Sequence, residues 1–325
     1  MDRGSFLGRF IARRLVQAVP TLFGVLLLTF LLGRLSPSDP LQLMLAGQYD
    51  VTPEDRESLR HSLGLDQPLP IQFLAWLWQI AHLNFGNSFY FNRPVLDIIV
   101  ERIPNSLQIS MIALIITVLV GVPLGVFAAL RRGRIEDHVI RVVSVAGHAV
   151  PQFWLGLIFV LTLSVQLRAF PVGSMNAVGI DCGLCWDRIW HLIGPVAVIS
   201  IAGIANLPRI LRTEVLEVIA QDYVRTARSK GLKERMIVAR HILRNALIPV
   251  VTSFGTILLV FFSGSLIIER VFNWPGLGRL TFEAAVGKDF PVVQAGVVIS
   301  SVLLILSYLV RDIAYAWVDP RIKVR

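Results

Sequence analysis

The sequence predicts an all-α membrane protein with six transmembrane helices, cytoplasmic N- and C-termini, and a small α-rich external segment after the first helix. Apolar residues make up 54% of the 325 residues and charged residues only 16%, whereas soluble domains carry about 25% charged residues. Six apolar runs approach the ~20 residues that cross a bilayer, and basic residues cluster between the runs. This composition excludes an ordinary soluble enzyme, a disordered chain and a fibrous protein.

The six predicted spans are runs without charged side chains over most of their length. They lie at about 10–32, 103–130, 142–167, 189–207, 247–268 and 292–310. The fourth run is the least regular because Gly194, Pro195 and Pro208 interrupt it, a break that buried neighbours can compensate. The first run is too long for the apolar region of a signal peptide, so we expect an uncleaved helix.

The orientation follows from the basic residues. The segments 1–14, 131–141, 209–244 and 311–325 together contain 21 of the 31 Lys and Arg residues but only 9 of the 22 acidic residues. The positive-inside rule places these segments in the cytoplasm. The excess of basic residues in these cytoplasmic segments accounts for the net charge of +9, so no nucleic-acid partner is expected.

The chain is expected to have four parts. These are the N-terminal segment with the first helix (1–35), the external segment (36–102), the transmembrane core (103–316) and a cytoplasmic tail (317–325). In the external segment, Thr52 before Pro53 is typical of a helix N-cap. The sequence leaves open whether this segment forms a small helical cap or only a packed loop.

The cytoplasmic loop 209–244 contains nine Lys and Arg residues and four acidic residues. Asp222 can cap a short helix over Tyr223–Lys230, and Gly231 stands where a C-terminal glycine ends a helix. The loop could lie on anionic lipid headgroups or dock a cytoplasmic partner, and composition alone does not decide between them.

Cys182 and Cys185 lie in a predicted external loop. An oxidising compartment favours a disulfide between them, while idle thiols and a redox or metal role remain alternatives. Two thiolates supply only half of a tetrahedral zinc site, so no metal site is predicted.

The sequence contains no phosphate-binding P-loop, no H-E-x-x-H and no G-x-S-x-G motif, and we expect no catalytic residues. Charged residues are also missing from the apolar centres of the spans, which argues against a carrier driven by protons or sodium. A mildly polar passage remains an option, although helix–helix hydrogen bonding explains each polar side chain equally well. The candidate lining residues are Asn105, Ser106, Gln152, Asn206, Ser263 and Gln294.

Several short motifs occur in a fixed order along the chain. They are Ser38–Pro40, Leu63–Pro68, Asn84–Ser88, Asp222–Leu232, Arg240–Pro249, Phe272–Gly278 and Asp319–Arg321. Together they make the chain resemble the transmembrane subunit of an ATP-binding-cassette importer, in the dipeptide/oligopeptide/nickel permease family. The resemblance covers essentially the whole chain and implies the fold of a type I importer permease.

The resemblance also implies a coupling helix, because this family carries the EAA motif in its cytoplasmic loop. Arg225-Thr226-Ala227 occupies the EAA positions and Gly231 the motif glycine. The glutamate position holds Arg225, and Pro249 follows at a longer distance than in the general motif. The residues implied to couple to the ATPase are Asp222, Tyr223, Arg225, Thr226, Ala227, Arg228, Lys230, Gly231 and Leu232.

By resemblance, the chain forms a heterodimer with a second permease subunit in the bacterial inner membrane. Two cytoplasmic ATPase subunits bind ATP and magnesium, an external binding protein delivers the solute, and this chain carries no cofactor. Peptides are the expected solutes, with glutathione and nickel as alternatives. Rival hypotheses are a secondary carrier or channel, an intramembrane enzyme and a scaffold that transports nothing.

Overall fold

The computed structural model describes residues 3–35, 52–62, 64–180, 182–183, 185–247 and 266–318, and the regular elements in these ranges are helices. They are α1 (Arg3–Leu35), α2 (Pro53–Ser62), α3 (Leu69–Ala81), α4 (Val95–Leu130), α5 (Ile135–Ala149), α6 (Gln152–Phe159, continued by a π-helix over Val160–Gln166), α7 (Trp186–Ile219), α8 (Asp222–Ser229), α9 (Glu234–Met236, continued by a π-helix over Ile237–Ile242), α10 (Leu277–Val286) and α11 (Phe290–Val318). The helical conformation of α9 extends to residue 247, and residues 266–271 are also helical. The predicted all-α class is confirmed for this part of the chain.

Four of these helices are long and apolar enough to cross a membrane: α1, α4, α7 and α11. The pair α5 and α6 counts as a fifth span if its two bent halves are taken together. The predicted span 247–268 falls almost entirely outside the described residues, so the sixth helix and the sidedness of the termini stay predictions.

The prediction of one continuous span at 142–167 is wrong. The structure has two helices there, α5 and α6, whose axes differ by 92°. Val150 between them is extended, with φ −87° and ψ 124°. The ring of Pro151 clashes with a helical conformation of the residue before it, which favours this extended backbone. Pro151 then occupies the N-cap position of α6.

Two predicted spans are longer in the structure. Helix α4 begins at Val95 and not near residue 103; its first turns are helical although Asp97, Glu101 and Arg102 interrupt the apolar run. Helix α7 continues through Pro195 and Pro208 to Ile219. Residues 209–219 of the predicted loop therefore extend a long helix.

The described chain separates into two compact units. The first comprises residues 1–105 and 276–305. Its apolar core contains Val95, Ile98, Ile99, Leu277, Leu280, Ala284, Val292 and Ala295. The N-cap predicted at Thr52 is confirmed, since its hydroxyl accepts the backbone N–H of Asp55 at 3.2 Å while the Asp55 carboxylate accepts the N–H of Thr52 at 3.0 Å.

A buried carboxylate orders a loop of this first unit. Asp289 accepts the hydroxyl of Ser88 and the backbone N–H groups of Phe89 and Tyr90. Asn87 and Pro94 form an isolated β-bridge across the base of the loop. Asp289 is almost fully buried, and these three donors satisfy its charge.

The second unit comprises residues 106–275 and 306–325 and holds two apolar clusters. The first contains Ile109, Ala113, Leu114, Leu192, Val196, Val198, Ile199, Ile268, Phe272 and Trp274. The second contains Ala129, Leu207, Leu211, Val215, Val224, Ala227, Ile237, Ile242 and Ala246. Because the second cluster joins α4, α7, α8 and α9, it packs the predicted coupling helix against long apolar helices.

Candidate functional site

The predicted coupling helix is present as α8, shifted by one residue from the prediction. Gln221 is the N-cap residue, with φ −72° and ψ 146°, and Asp222 is the first helical residue. An acidic residue in the first turn and Arg228 in the last turn both complement the helix dipole.

Gly231 ends this helix with a Schellman motif. The glycine has φ +73°, in the left-handed region that favours glycine. Its N–H donates to the carbonyl of Arg228 at 2.9 Å, and the N–H of Leu232 donates to the carbonyl of Ala227 at 3.4 Å. The prediction that Gly231 terminates the helix is confirmed.

One face of α8 holds it on the protein. Val224 and Ala227 are buried and pack in the cluster that contains Leu211, Ile237 and Ile242. The other six residues of the helix are exposed. Burial of a valine side chain stabilises by about 1.5–3 kcal/mol, so α8 is attached to the second unit by its apolar side.

The face opposite Val224 and Ala227 is polar. Asp222 and Arg225 form an exposed ion pair at 3.4 Å, with 95% and 72% of their side chains exposed. Two hydroxyls on this face donate to carbonyls of the same helix, from Thr226 to Asp222 and from Ser229 to Arg225. The two hydroxyls are therefore occupied within the helix, and the side chains of Asp222 and Arg225 are the ones on this face that can reach a partner.

Ion pairs and hydrogen bonds also link α8 to α9. The Arg228 guanidinium donates to the Glu234 carboxylate at 2.7 Å, which lowers the pKa of Glu234 and raises that of Arg228. Asn245 donates to the hydroxyl of Tyr223 at 3.1 Å. The predicted site residues Tyr223 and Arg228 thus order the turn between α8 and α9.

A buried ion pair stabilises the same unit, and no sequence motif indicates it. Asp137 of α5 accepts two hydrogen bonds from Arg212 of α7, at 2.6 and 2.9 Å, and one from the N–H of Gly133 at 3.0 Å. Arg141 lies 3.4 Å from the same carboxylate. Asp137 is completely buried, so these donors are needed to compensate its desolvation.

The candidate passage residues divide between the two units. In the first unit Asn105 is half-buried in α4, and Gln294 accepts a hydrogen bond from the indole of Trp76 at 3.2 Å. That contact ties α11 to α3, as the helix–helix alternative supposed.

Three further candidates lie in the second unit. The hydroxyl of Ser106 donates to the fully buried Glu269 at 2.7 Å. Asn206 accepts a hydrogen bond from Arg209 at 3.2 Å, and Gln152 is half-buried at the start of α6. The sixth candidate, Ser263, lies outside the described residues.

The sulfurs of Cys182 and Cys185 are bonded to each other in the structure. Cys185 is the N-cap of α7, and the carbonyl of Cys182 accepts a hydrogen bond from Arg188 at 3.4 Å. Among the described residues, no cluster of three or more His, Cys, Asp or Glu side chains could hold a metal ion.

Two family models match the chain. Residues 121–324 match the binding-protein-dependent transport system inner membrane component, and residues 7–110 match the N-terminal part of a membrane component of such systems. The chain is 40% identical to the oligopeptide transport system permease protein AppB of Bacillus subtilis, with 97% of this chain and 99% of the relative covered.

Two further relatives cover 97% of this chain and 98% of their own length. The di/tripeptide transport system permease protein DppB of Pseudomonas aeruginosa is 39% identical, and the dipeptide transport system permease protein DppB of Escherichia coli is 35% identical. A solved chain of the inward-facing MetNI methionine ABC transporter aligns with a TM-score of 0.55 at 16% identity, covering 68% of this chain and 96% of that chain. This last likeness concerns the fold alone.

Proposed function

The chain belongs to the family of inner-membrane components of binding-protein-dependent transport systems, and on that premise we propose that it is the transmembrane subunit of an ATP-driven importer. In this role it forms half of the translocation pathway for di- and oligopeptides. Peptides are favoured over glutathione or nickel because the three relatives described above are all named as peptide permeases.

The observation that carries this proposal is the construction of α8. The helix is fixed to the second unit through Val224 and Ala227, and it turns a wholly polar face outward. The apolar side fixes the helix in place, and the exposed polar side is a surface on which a protein partner can dock. The proposed coupling residues are Asp222, Tyr223, Arg225, Thr226, Ala227, Arg228, Lys230, Gly231 and Leu232.

The proposed assembly contains a second permease subunit, two ATPase subunits and an external binding protein. ATP and magnesium bind to the ATPase subunits, so this chain is not itself an enzyme and carries no cofactor. Closure of the ATPases on ATP moves α8 and shifts the spans between inward-open and outward-open states.

We further propose the topology expected from the charges, with six spans and both termini in the cytoplasm. The four proposed parts are 1–35, 36–102, 103–316 with the coupling loop 209–244, and 317–325. The external position of the loop before α7 is compatible with the disulfide between Cys182 and Cys185. The polar residues proposed for the passage are Asn105, Ser106, Gln152, Asn206, Ser263 and Gln294.

The test is reconstitution of the purified complex in proteoliposomes with ATP supplied on the ATPase side. Uptake of a radiolabelled dipeptide should require both ATP and the binding protein, and an excess of unlabelled dipeptide should abolish it. If glutathione or Ni²⁺ competes and peptides do not, the substrate assignment is wrong. Uptake by this chain without any ATPase would overturn the importer assignment in favour of a carrier or channel.

A further inference from the structure

The surface around α8 is strongly cationic. Between residues 222 and 244 there are seven Lys and Arg residues but only two acidic residues, Asp222 and Glu234. Glu234 forms an ion pair with Arg228 at 2.7 Å, so the charges of these two side chains largely cancel. The remaining cations include Arg225, Lys230 and Lys233, which are all exposed.

Arg225 is the one long cationic side chain on the outward face of α8. The buried residues Val224 and Ala227 define the inward side, which places Asp222, Arg225, Thr226 and Ser229 on the opposite side. Both hydroxyls there are turned back onto helix carbonyls. The carboxylate of Asp222 competes weakly for the guanidinium, because the pair is 3.4 Å apart and highly exposed.

Insertion of α8 into the membrane interface does not suit this face. Helices that lie in the membrane interface bury an apolar face among the acyl chains, but the apolar side of α8 is already used within the protein. What remains is a polar face that carries the exposed guanidinium of Arg225 beside the carboxylate of Asp222. Guanidinium groups bind carboxylates in a planar, bidentate geometry, and arginine is enriched among residues that dominate protein interfaces.

We propose that the groove of the ATPase subunit that receives α8 is acidic, with a carboxylate paired to Arg225. The proposal rests on the proposed function, since it takes the partner of α8 to be an ATPase subunit. It adds the chemistry of that partner and assigns Arg225 as the residue that selects it. A groove lined with cations would be rejected by like-charge repulsion.

The first experiment measures retention of the ATPase subunits by the purified complex in nanodiscs over a series of salt concentrations. R225E should reduce retention at least tenfold, R225Q should reduce it less and flatten its salt dependence, and R225K should stay closest to the natural chain. The matched control is R235E, which makes the same charge change at an exposed position outside α8. Equal losses in R225E and R235E would overturn the proposal, because a diffuse cationic field explains them.

The second experiment identifies the partner group. In the R225K complex, a carbodiimide joins the new amine to a carboxylate in direct contact with it, and mass spectrometry locates the link. A link to an Asp or Glu of the ATPase subunit supports the proposal, whereas a link to Asp222 alone overturns it.

Lipid composition separates the two classes of partner. In nanodiscs made only of zwitterionic lipid, the loss caused by R225E should persist, and its disappearance would assign the face to anionic headgroups. If R225E retains its ATPase and transports normally, the acidic groove is wrong while the proposed function stands. If the natural chain never retains an ATPase subunit, the proposed function itself fails.

Discussion

Substitution of Gly231 tests whether the end of α8 is needed for coupling. Gly231 has φ +73°, and a β-carbon placed on it meets no atom within 4 Å. The cost of a substitution there is therefore conformational and not steric. A residue with a β-carbon pays about 1–2 kcal/mol in this backbone region, with valine at the upper end because β-branching makes this conformation rarer.

These energies translate into a graded series. A cost of 1–2 kcal/mol lowers the equilibrium ratio of the correctly ended helix to its frayed form by about 5- to 30-fold. Gly231→Asn should behave nearly as the natural chain, since asparagine tolerates this conformation. Gly231→Ala should be intermediate, and Gly231→Val should uncouple ATP hydrolysis from transport. The measured quantity is the number of ATP molecules hydrolysed per dipeptide taken up by proteoliposomes.

A control of equal intrinsic strain is available within the same unit. Gly179 has φ +85° and also has open space around its missing β-carbon, but it lies far along the chain from α8. Gly179→Val should lower thermal stability by a similar amount and leave the coupling ratio unchanged. Normal transport by Gly231→Val would refute the reasoning, and so would an asparagine variant as defective as the valine variant.

Three further outcomes are expected in the second unit. Asp137→Asn should destabilise the purified chain by about 3–5 kcal/mol in a detergent melt, because it leaves Arg212 without its carboxylate; an unchanged melt would contradict this. Gly203→Ala should destabilise by about 1–3 kcal/mol, since the added carbon would lie 2.5 Å from the hydroxyl of Thr117; Thr117→Ala in the same chain should restore most of the loss. The pKa of Glu234 is lowered by its hydrogen bond with Arg228, so the ion pair stabilises the α8–α9 turn at neutral pH. This stabilisation is lost as the pH falls from the ordinary glutamate pKa of about 4.3 through the lowered pKa. The protection factors of the amides across that turn, taken relative to the intrinsic exchange rate at each pH, should fall on acidification, and Glu234→Gln should remove this fall.

Helix α8 could be predicted because its signals are local. An acidic residue at Asp222 and a glycine at Gly231 mark the two ends of α8 within a few residues of their physical effect. The bend after α5 was also encoded locally, in Val150 followed by Pro151. It was missed because a hydropathy run averages over such a break.

The buried polar contacts could not be predicted in the same way. Asp137 and Arg212 are 75 residues apart, and Ser106 and Glu269 are 163 residues apart. A single sequence contains no signal that pairs such side chains. The hydrogen bond between Gln294 and Trp76 joins residues even further apart, so a polar residue in a span could not be assigned to a passage or to helix packing from the sequence.

The packing of α8 indicates how a force on it reaches the membrane. Val224 and Ala227 share one apolar cluster with Leu211 and Val215 of α7, so α8 cannot tilt without opening that cluster. Exposing Val224 alone costs about 1.5–3 kcal/mol, which is more than a single exposed ion pair contributes. On the proposed function, a partner that moves α8 therefore acts first on α7, because the two helices share this cluster. Helix α7 runs from Trp186 to Ile219 and contains Pro195 and Pro208, so it connects the surface around α8 to a helix long and apolar enough to cross the membrane, and the two prolines are the points at which it would bend.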